Sequence, residues 1–299
     1  MAKANLKDRI RKGLFLLDGA MGTQLFARGV EPGKCGDYLN IESPDIVLAV
    51  HNAYINAGCD AVLTNTFGAN KYALARHGHA DKGADINAAG VNLARKAAGQ
   101  NKYVLGDIGP SGDFLEPLGN LKSDDLRAAF AEQAKSLANA GADGLIIETM
   151  TALDEIAVAI EAAKSVAGKL PVFASMSFDR AGEDFRTMMG VDVPSAVVKM
   201  VSLGADAVGF NCGTTTLDEY VELAKRYVAA AKAANPKVLV FAEPNAGKPE
   251  LVDDRAVYTV TPEQFAAAAQ KLYNAGVTII GGCCGTGPEH IKAVAELLA

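Results

Sequence analysis

Apolar positions in this chain gather into short runs that recur about every 30 to 45 residues, the repeat of a strand-plus-helix unit in a parallel sheet. Eight runs fit: residues 14–18, 61–67, 103–109, 144–149, 172–178, 207–212, 238–245 and 278–284. Between them apolar residues fall three and four apart, as in residues 126–134, and Ser43-Pro44-Asp45, Ser123-Asp124-Asp125 and Thr261-Pro262-Glu263 carry the residue types that start helices. Gly58, Gly141, Gly204 and Gly276 stand where the preceding helices should stop, each with small or acidic neighbours, which is C-capping chemistry. Eight such units with no linker predict an α/β chain forming one (β/α)8 TIM barrel over residues 1–299.

A barrel of this kind does its chemistry at the C-terminal ends of its strands, so each run should finish on polar residues. The runs end on Asp18-Gly19-Ala20, Thr64-Asn65-Thr66, Asp107, Glu148-Thr149, Ser175-Met176-Ser177, Asn211-Cys212, Glu243-Pro244-Asn245 and Cys283-Cys284. The opposite ends are expected to carry no such cluster. Asp18 before Gly19 is also the residue pair of a simple turn. Glu148 follows three apolar residues, where an unpaired carboxylate is costly. Together at one rim the two acids suit an ammonium group. Asp107 and Glu243 are expected to brace neighbouring loops, while Asn211 and Ser177 suit either a ligand contact or a rim-orienting role.

Composition narrows the partners. With 29 basic and 35 acidic side chains the net charge is −6 and basic runs are missing, which excludes nucleic acid and anionic membrane surfaces as partners. The basic N-terminal dozen residues lead into an apolar stretch that stops at Asp18, too short for a signal-peptide core, and no run spans a bilayer, so a cytoplasmic protein is expected. Five cysteines, an odd number, argue against a closed disulfide framework.

The cysteines carry the chemistry. Cys283 and Cys284 are adjacent at the end of an apolar run, and Cys212 ends another, each run turning at once into glycine. A vicinal disulfide strains its peptide and does not suit a reducing compartment; two buried small hydrophobes is the other plain reading. If the two strands share a barrel, three thiolates meet at its rim, three quarters of a tetrahedral zinc site with one position open. Cys35 and Cys59 end no strand and are expected to play no part. His51, His77 and His79 fall on or near outer helices as solvated or bracing groups, and His290 lies close enough to the thiols to support a metal ligand. The glycines at 281, 282, 285 and 287 lack the lysine of a phosphate loop, and the helix start there is expected to let backbone approach an anionic group of the substrate.

These motifs resemble the homocysteine S-methyltransferase family, and in particular the homocysteine-binding module of cobalamin-dependent methionine synthase. The resemblance runs through Leu17-Asp18-Gly19-Ala20-Met21-Gly22-Thr23, Thr64-Asn65-Thr66-Phe67, Gly109-Pro110-Ser111-Gly112, Phe114-Leu115-Glu116-Pro117, Ile147-Glu148-Thr149, Gly209-Phe210-Asn211-Cys212, Pro244-Asn245-Ala246-Gly247 and Gly281-Gly282-Cys283-Cys284-Gly285-Thr286. It implies that Cys212, Cys283 and Cys284 are both zinc ligands and the catalytic centre. It also implies that Asp18 and Glu148 hold the homocysteine amino group and that the backbone at Gly19 and Ala20 receives its carboxylate; Asn211 and Ser177, from their place at strand ends, are expected to add polar contacts to the substrate. Zinc would present the substrate sulfur as thiolate, the form that attacks a methyl group. The full synthase continues into folate-, cobalamin- and reactivation-domains, so the expected donor is methylcobalamin on a separate corrinoid protein. Betaine, S-methylmethionine or another small onium donor is the alternative, although the chain has no tryptophan, the best face for a quaternary ammonium. A zinc- and thiol-binding partner of a corrinoid protein without turnover is the reading from outside enzymology.

Overall fold

The computed structural model describes residues 3–252 and 255–298. Eight parallel strands form one sheet: β1 (Phe15–Leu16), β2 (Ala61–Leu63), β3 (Tyr103–Ile108), β4 (Gly144–Met150), β5 (Val172–Met176), β6 (Ala207–Asn211), β7 (Leu239–Glu243) and β8 (Ile279–Ile280). Their order around the sheet is β1-β8-β7-β6-β5-β4-β3-β2, with helices between successive strands, as a (β/α)8 barrel requires.

The seam between β1 and β2 is closed largely by carboxylates. Asp60 N–H donates to Leu16 O at 2.6 Å, Leu16 N–H donates to Asp60 Oδ2 at 3.0 Å, and Leu63 N–H donates to Asp18 Oδ2 at 3.1 Å. The strands are too short to pair by backbone alone, and side-chain oxygens take the unpaired donors.

Side chains alternate along the strands with period two. Phe15, Leu17, Ala61, Tyr103, Leu105, Ile146, Phe173, Ala207, Phe241 and Ile279 fill the barrel interior, while Leu16, Val104, Ile147, Val208 and Val240 pack outward against the helices. The same phase carried two residues further brings Asp107, Glu148, Ser175 and Glu243 to the interior at the C-terminal mouth, and four residues beyond Ala207 it brings Asn211. The polar layer of the mouth is thus the continuation of the apolar layers below it.

The barrel floor departs from expectation. Leu6 and Ile10, both buried, seal it from the N-terminal segment as part of the interior cluster. Around them, Arg9 pairs with Asp60 at 2.9 Å, Lys3 with Asp143 at 2.8 Å and Lys7 with Asp206 at 2.9 Å. The N-terminal ends of the strands therefore do carry an acidic set. Each of these aspartates also accepts a strand N–H, from Leu16, Val104 and Val172 respectively, so the acids brace the floor rather than bind a ligand. The glycines before them do cap helices: Gly58, Gly141 and Gly204 have φ of 102°, 98° and 80°. Thr261 caps Pro262–Asn274 in a reciprocal box with Gln264, as its sequence predicts. Among the described residues no helix is long and apolar enough to cross a membrane.

Candidate metal centre

Cys212 leaves the end of β6 in the left-handed region at φ 55°, followed by Gly213 at φ 91°. Non-glycine residues seldom adopt that conformation, and it persists only where neighbours impose it. Cys212 N–H donates to Glu243 O at 3.3 Å, and its carbonyl accepts from the Tyr220 hydroxyl at 2.5 Å.

Cys283 and Cys284 lie in the loop after β8, which is stitched to its neighbours on both sides. Cys283 N–H donates to Pro244 O at 2.8 Å and Ala246 N–H to Cys284 O at 2.9 Å. On the other flank Gly282 N–H donates to Asp18 O at 2.9 Å and Gly285 N–H to Thr23 Oγ1 at 3.1 Å. Thr286 threads the two loops: its hydroxyl donates to Cys283 O at 2.7 Å and accepts from Ala20 N–H at 3.1 Å. A Cβ at Gly282 would stand 2.5 Å from Thr286 Oγ1, so only glycine lets the thread pass.

All three sulfurs lie within 4.8 Å of one another, with Cys212 Sγ to Cys284 Sγ at 3.9 Å. A tetrahedral zinc with bonds of about 2.3 Å separates its sulfur ligands by about 3.8 Å, which the Cys212–Cys284 edge matches. It is the one group of three or more potential metal-ligating side chains found among the described residues. Cys35 and Cys59 stand outside it, free. Hydrogen bonds from the Cys212 and Cys283 thiols pull Cys284 well below the ordinary thiol range, with the Tyr258 hydroxyl adding to them. A cation bound here would displace the thiol protons.

Asn211 links this centre to the acids. Its Oδ1 accepts from Thr149 N–H at 2.8 Å and from Ser175 Oγ at 2.7 Å. Its Nδ2 reaches Thr149 Oγ1 at 2.6 Å, Glu148 Oε2 at 3.3 Å and Cys283 Sγ at 3.8 Å. Thr149 itself sits at φ 61°, an outlier for a β-branched residue, beside a register shift between β4 and β5 at residues 147–150. A bulge of this kind next to a site re-aims side chains; here it lies directly at Glu148. These contacts tie Asn211 into the rim. Ser175 is the serine in its network, and Ser177 joins the rim through its N–H to Met150 O at 2.9 Å.

Four acids crowd the mouth. Burial raises Glu148 to about 7, and the negative Cys284 adds to it, while a hydrogen bond with Glu243 acts in the opposite direction. Glu243 is raised well above the carboxylate range by burial and then by Glu148 and Asp18. Asp107 is raised by burial and then by Glu148 and Glu243, and Asp18 chiefly by burial. Asp107 Oδ1 and Glu243 Oε2 are buried with no hydrogen-bond partner among the described residues. Such a cluster is poised for a cation.

Other expectations change too. The N–H groups of Gly281, Gly282, Gly285 and Gly287 are all taken internally, by Ala242 O, Asp18 O, Thr23 Oγ1 and His290 Nδ1, and none is left to meet an anion. His290, with Nε2 3.0 Å from Val260 O, braces that loop and ligates nothing. His51 is fully buried with both ring nitrogens unpartnered among the described residues, and burial lowers it to about 4; it is neither solvated nor bracing. His79 stacks on Tyr38 at 4.0 Å.

The family profile for homocysteine S-methyltransferase matches residues 15–298. Methionine synthases from Mycobacterium tuberculosis (strain ATCC 25618 / H37Rv) and Mycobacterium leprae (strain TN) are 34% identical over 316 residues and 33% over 314. Each alignment covers 99% of this chain and 25% of the relative, so the chain spans about a quarter of the length of the curated relatives it matches. The metallated form of the homocysteine methyltransferase MmuM from Escherichia coli superposes with a TM-score of 0.79 at 23% identity, covering 98% of this chain and 99% of that one. Its apo form superposes with a TM-score of 0.72. At that identity the likeness speaks for the fold.

Proposed function

The chain belongs to the homocysteine S-methyltransferase family, and from that premise we propose that it methylates the sulfur of homocysteine at a zinc ion held by Cys212, Cys283 and Cys284. The observation that carries this reading is the sulfur triangle, with its 3.9 Å edge matching a tetrahedral ion and three ligands leaving one position for the substrate. When bound, zinc would supply the positive charge that makes the homocysteine thiol a thiolate at neutral pH, the nucleophilic form.

The residues around the triangle divide the remaining work. Asp18 and Glu148 hold the substrate ammonium, and Asp107 and Glu243, whose orphan oxygens belong to the same cluster, add negative potential behind them. An arriving ammonium draws these carboxyls toward their charged forms, so its binding releases protons from the mouth. The turn at Gly19 and Ala20 leads the substrate carboxylate to the start of helix Met21–Ala27, the Ala20 N–H itself being held by Thr286 Oγ1. Asn211 and Thr149 keep Glu148 and Cys283 in a fixed relation. In the transfer the sulfur forms a bond to carbon as the bond between carbon and the donor breaks, the donor keeping that electron pair, and no general acid is needed.

For the donor we propose methylcobalamin carried on a corrinoid protein that docks over the barrel mouth. Two things support it: the relatives are methionine synthases, and the chain has no tryptophan with which to cage a quaternary ammonium. The test is methionine formation from homocysteine by zinc-loaded protein offered methylcobalamin, betaine and S-methylmethionine in parallel. Methylcobalamin should be the best of the three. Equal or faster turnover of either onium compound overturns the donor assignment, and zinc binding with no methionine from any donor overturns the enzyme.

A further inference from the structure

The amide of Asn211 is asked to do more than its hydrogens allow. The Thr149 backbone N–H can only donate, which identifies the Asn211 atom 2.8 Å away as oxygen and the other end of the amide as nitrogen. That nitrogen has two hydrogens and three acceptors around it: Thr149 Oγ1 at 2.6 Å, Glu148 Oε2 at 3.3 Å and Cys283 Sγ at 3.8 Å. The bond to Thr149 is short and, with its partner to Oδ1, forms a two-point clamp on a residue in a disfavoured conformation. One hydrogen is therefore committed. The other is shared between a carboxylate and a sulfur.

We propose that this shared hydrogen couples the amino-acid end of the site to the metal end, so that an amino acid seated against Glu148 tightens the hold on the metal. The inference rests on the reading of the site given above. An ammonium pairing with Glu148 draws the carboxylate away from the clamped amide, and the shared Asn211 N–H is then left to Cys283 Sγ. A hydrogen bond there offsets the negative charge that three thiolates crowd around one ion. By reciprocity, bound metal strengthens the hold on the amino group to the same extent. Asn211 is thus a positioning residue with a partner at each end, and neither Thr149 nor Ser175, which bind the fixed side of the amide, carries the signal.

The experiment measures zinc affinity by competition with a chromophoric chelator, with and without saturating L-2-aminobutyrate, which has the homocysteine frame without the sulfur. In the parent protein the amino acid should tighten zinc binding about fivefold or more, the lower range of ordinary coupling between sites. Asn211→Asp keeps an oxygen for the Thr149 clamp and removes both hydrogens; in it, and in Asn211→Ala, the effect should fall below about twofold. Ser175→Ala, which spares the nitrogen, should retain the effect, separating coupling from general loosening of the rim. A parent whose zinc affinity ignores 2-aminobutyrate overturns the inference, as does an Asn211→Asp variant that responds like the parent. If the parent binds zinc and forms methionine yet shows no coupling, only this inference fails; if it binds no zinc, the wider reading fails with it.

Discussion

Replacing Glu148 by glutamine removes one negative charge from the mouth and keeps the side chain's size, so it separates charge from shape. Two effects should appear with opposite signs. The first concerns the substrate: a hydrogen-bonded ammonium–carboxylate contact contributes about 2 kcal/mol net, so homocysteine binding should weaken about 30-fold. The second concerns the ligand-free, metal-free fold. Glu148 is raised from 4.5 to about 7, chiefly because burial disfavours its charged form. A carboxyl raised in this way favours the folded chain while it is protonated. That contribution is complete below about pH 4.5 and is lost as the pH rises through about 7. The gap between those values corresponds to roughly 3 kcal/mol, most of which the parent loses between pH 5 and pH 8 and the glutamine variant does not. Urea denaturation of metal-free protein at the two pH values, beside homocysteine titration by calorimetry, reads both effects. Parallel pH dependence in the two proteins, or a change in homocysteine affinity of less than about threefold, would refute the reasoning.

Three further outcomes follow from particular contacts. His51→Leu removes a fully buried imidazole whose two nitrogens have no partner among the described residues, and thermal unfolding should shift upward by the equivalent of about 1 to 2 kcal/mol; a lower midpoint would show that His51 has a partner in solution. Asp60→Asn weakens both the Leu16 N–H bond and the Arg9 pair at the barrel seam, so denaturation should show a loss of about 1 to 3 kcal/mol with methionine formation intact at low temperature. Gly282→Ala drives a Cβ against Thr286 Oγ1 and displaces the thread that fixes Cys283; zinc retention during dialysis against a chelator should fall at least tenfold, and unchanged retention would remove Thr286 from the account.

Most of the architecture was legible because a barrel strand must be apolar and must end where the chemistry begins. The eight runs correspond to eight strands, and the polar residues that close them lie at one end. Cys212, Cys283 and Cys284 were legible for the same reason: a thiol delivered to a strand terminus has few structural uses. What escaped depends on partners distant in the chain. Asp60, Asp143 and Asp206 read as helix-end residues, and nothing in their neighbourhoods announces that Arg9, Lys3 and Lys7 reach across the floor to meet them. Period-two counting from Phe173 places Ser175 in the mouth, but only the Thr149 bulge shows why Asn211 needs it. That Asp107 and Glu243 each keep one buried oxygen without a donor among the described residues is likewise invisible in the sequence. The glycines of the cysteine loop suggested an anion cradle because their sequence cannot show that each glycine N–H there is already taken.

The central claim is that three sulfurs from two strand ends form one metal site with a place for the substrate sulfur. X-ray absorption at the zinc edge tests it most directly, on zinc-loaded protein before and after homocysteine is added. The account predicts one zinc per chain with three sulfurs at about 2.3 Å, rising to four when homocysteine binds. A shell that lacks Cys212, shown by an unchanged sulfur count in Cys212→Ser, or a count that does not rise with homocysteine, would contradict it.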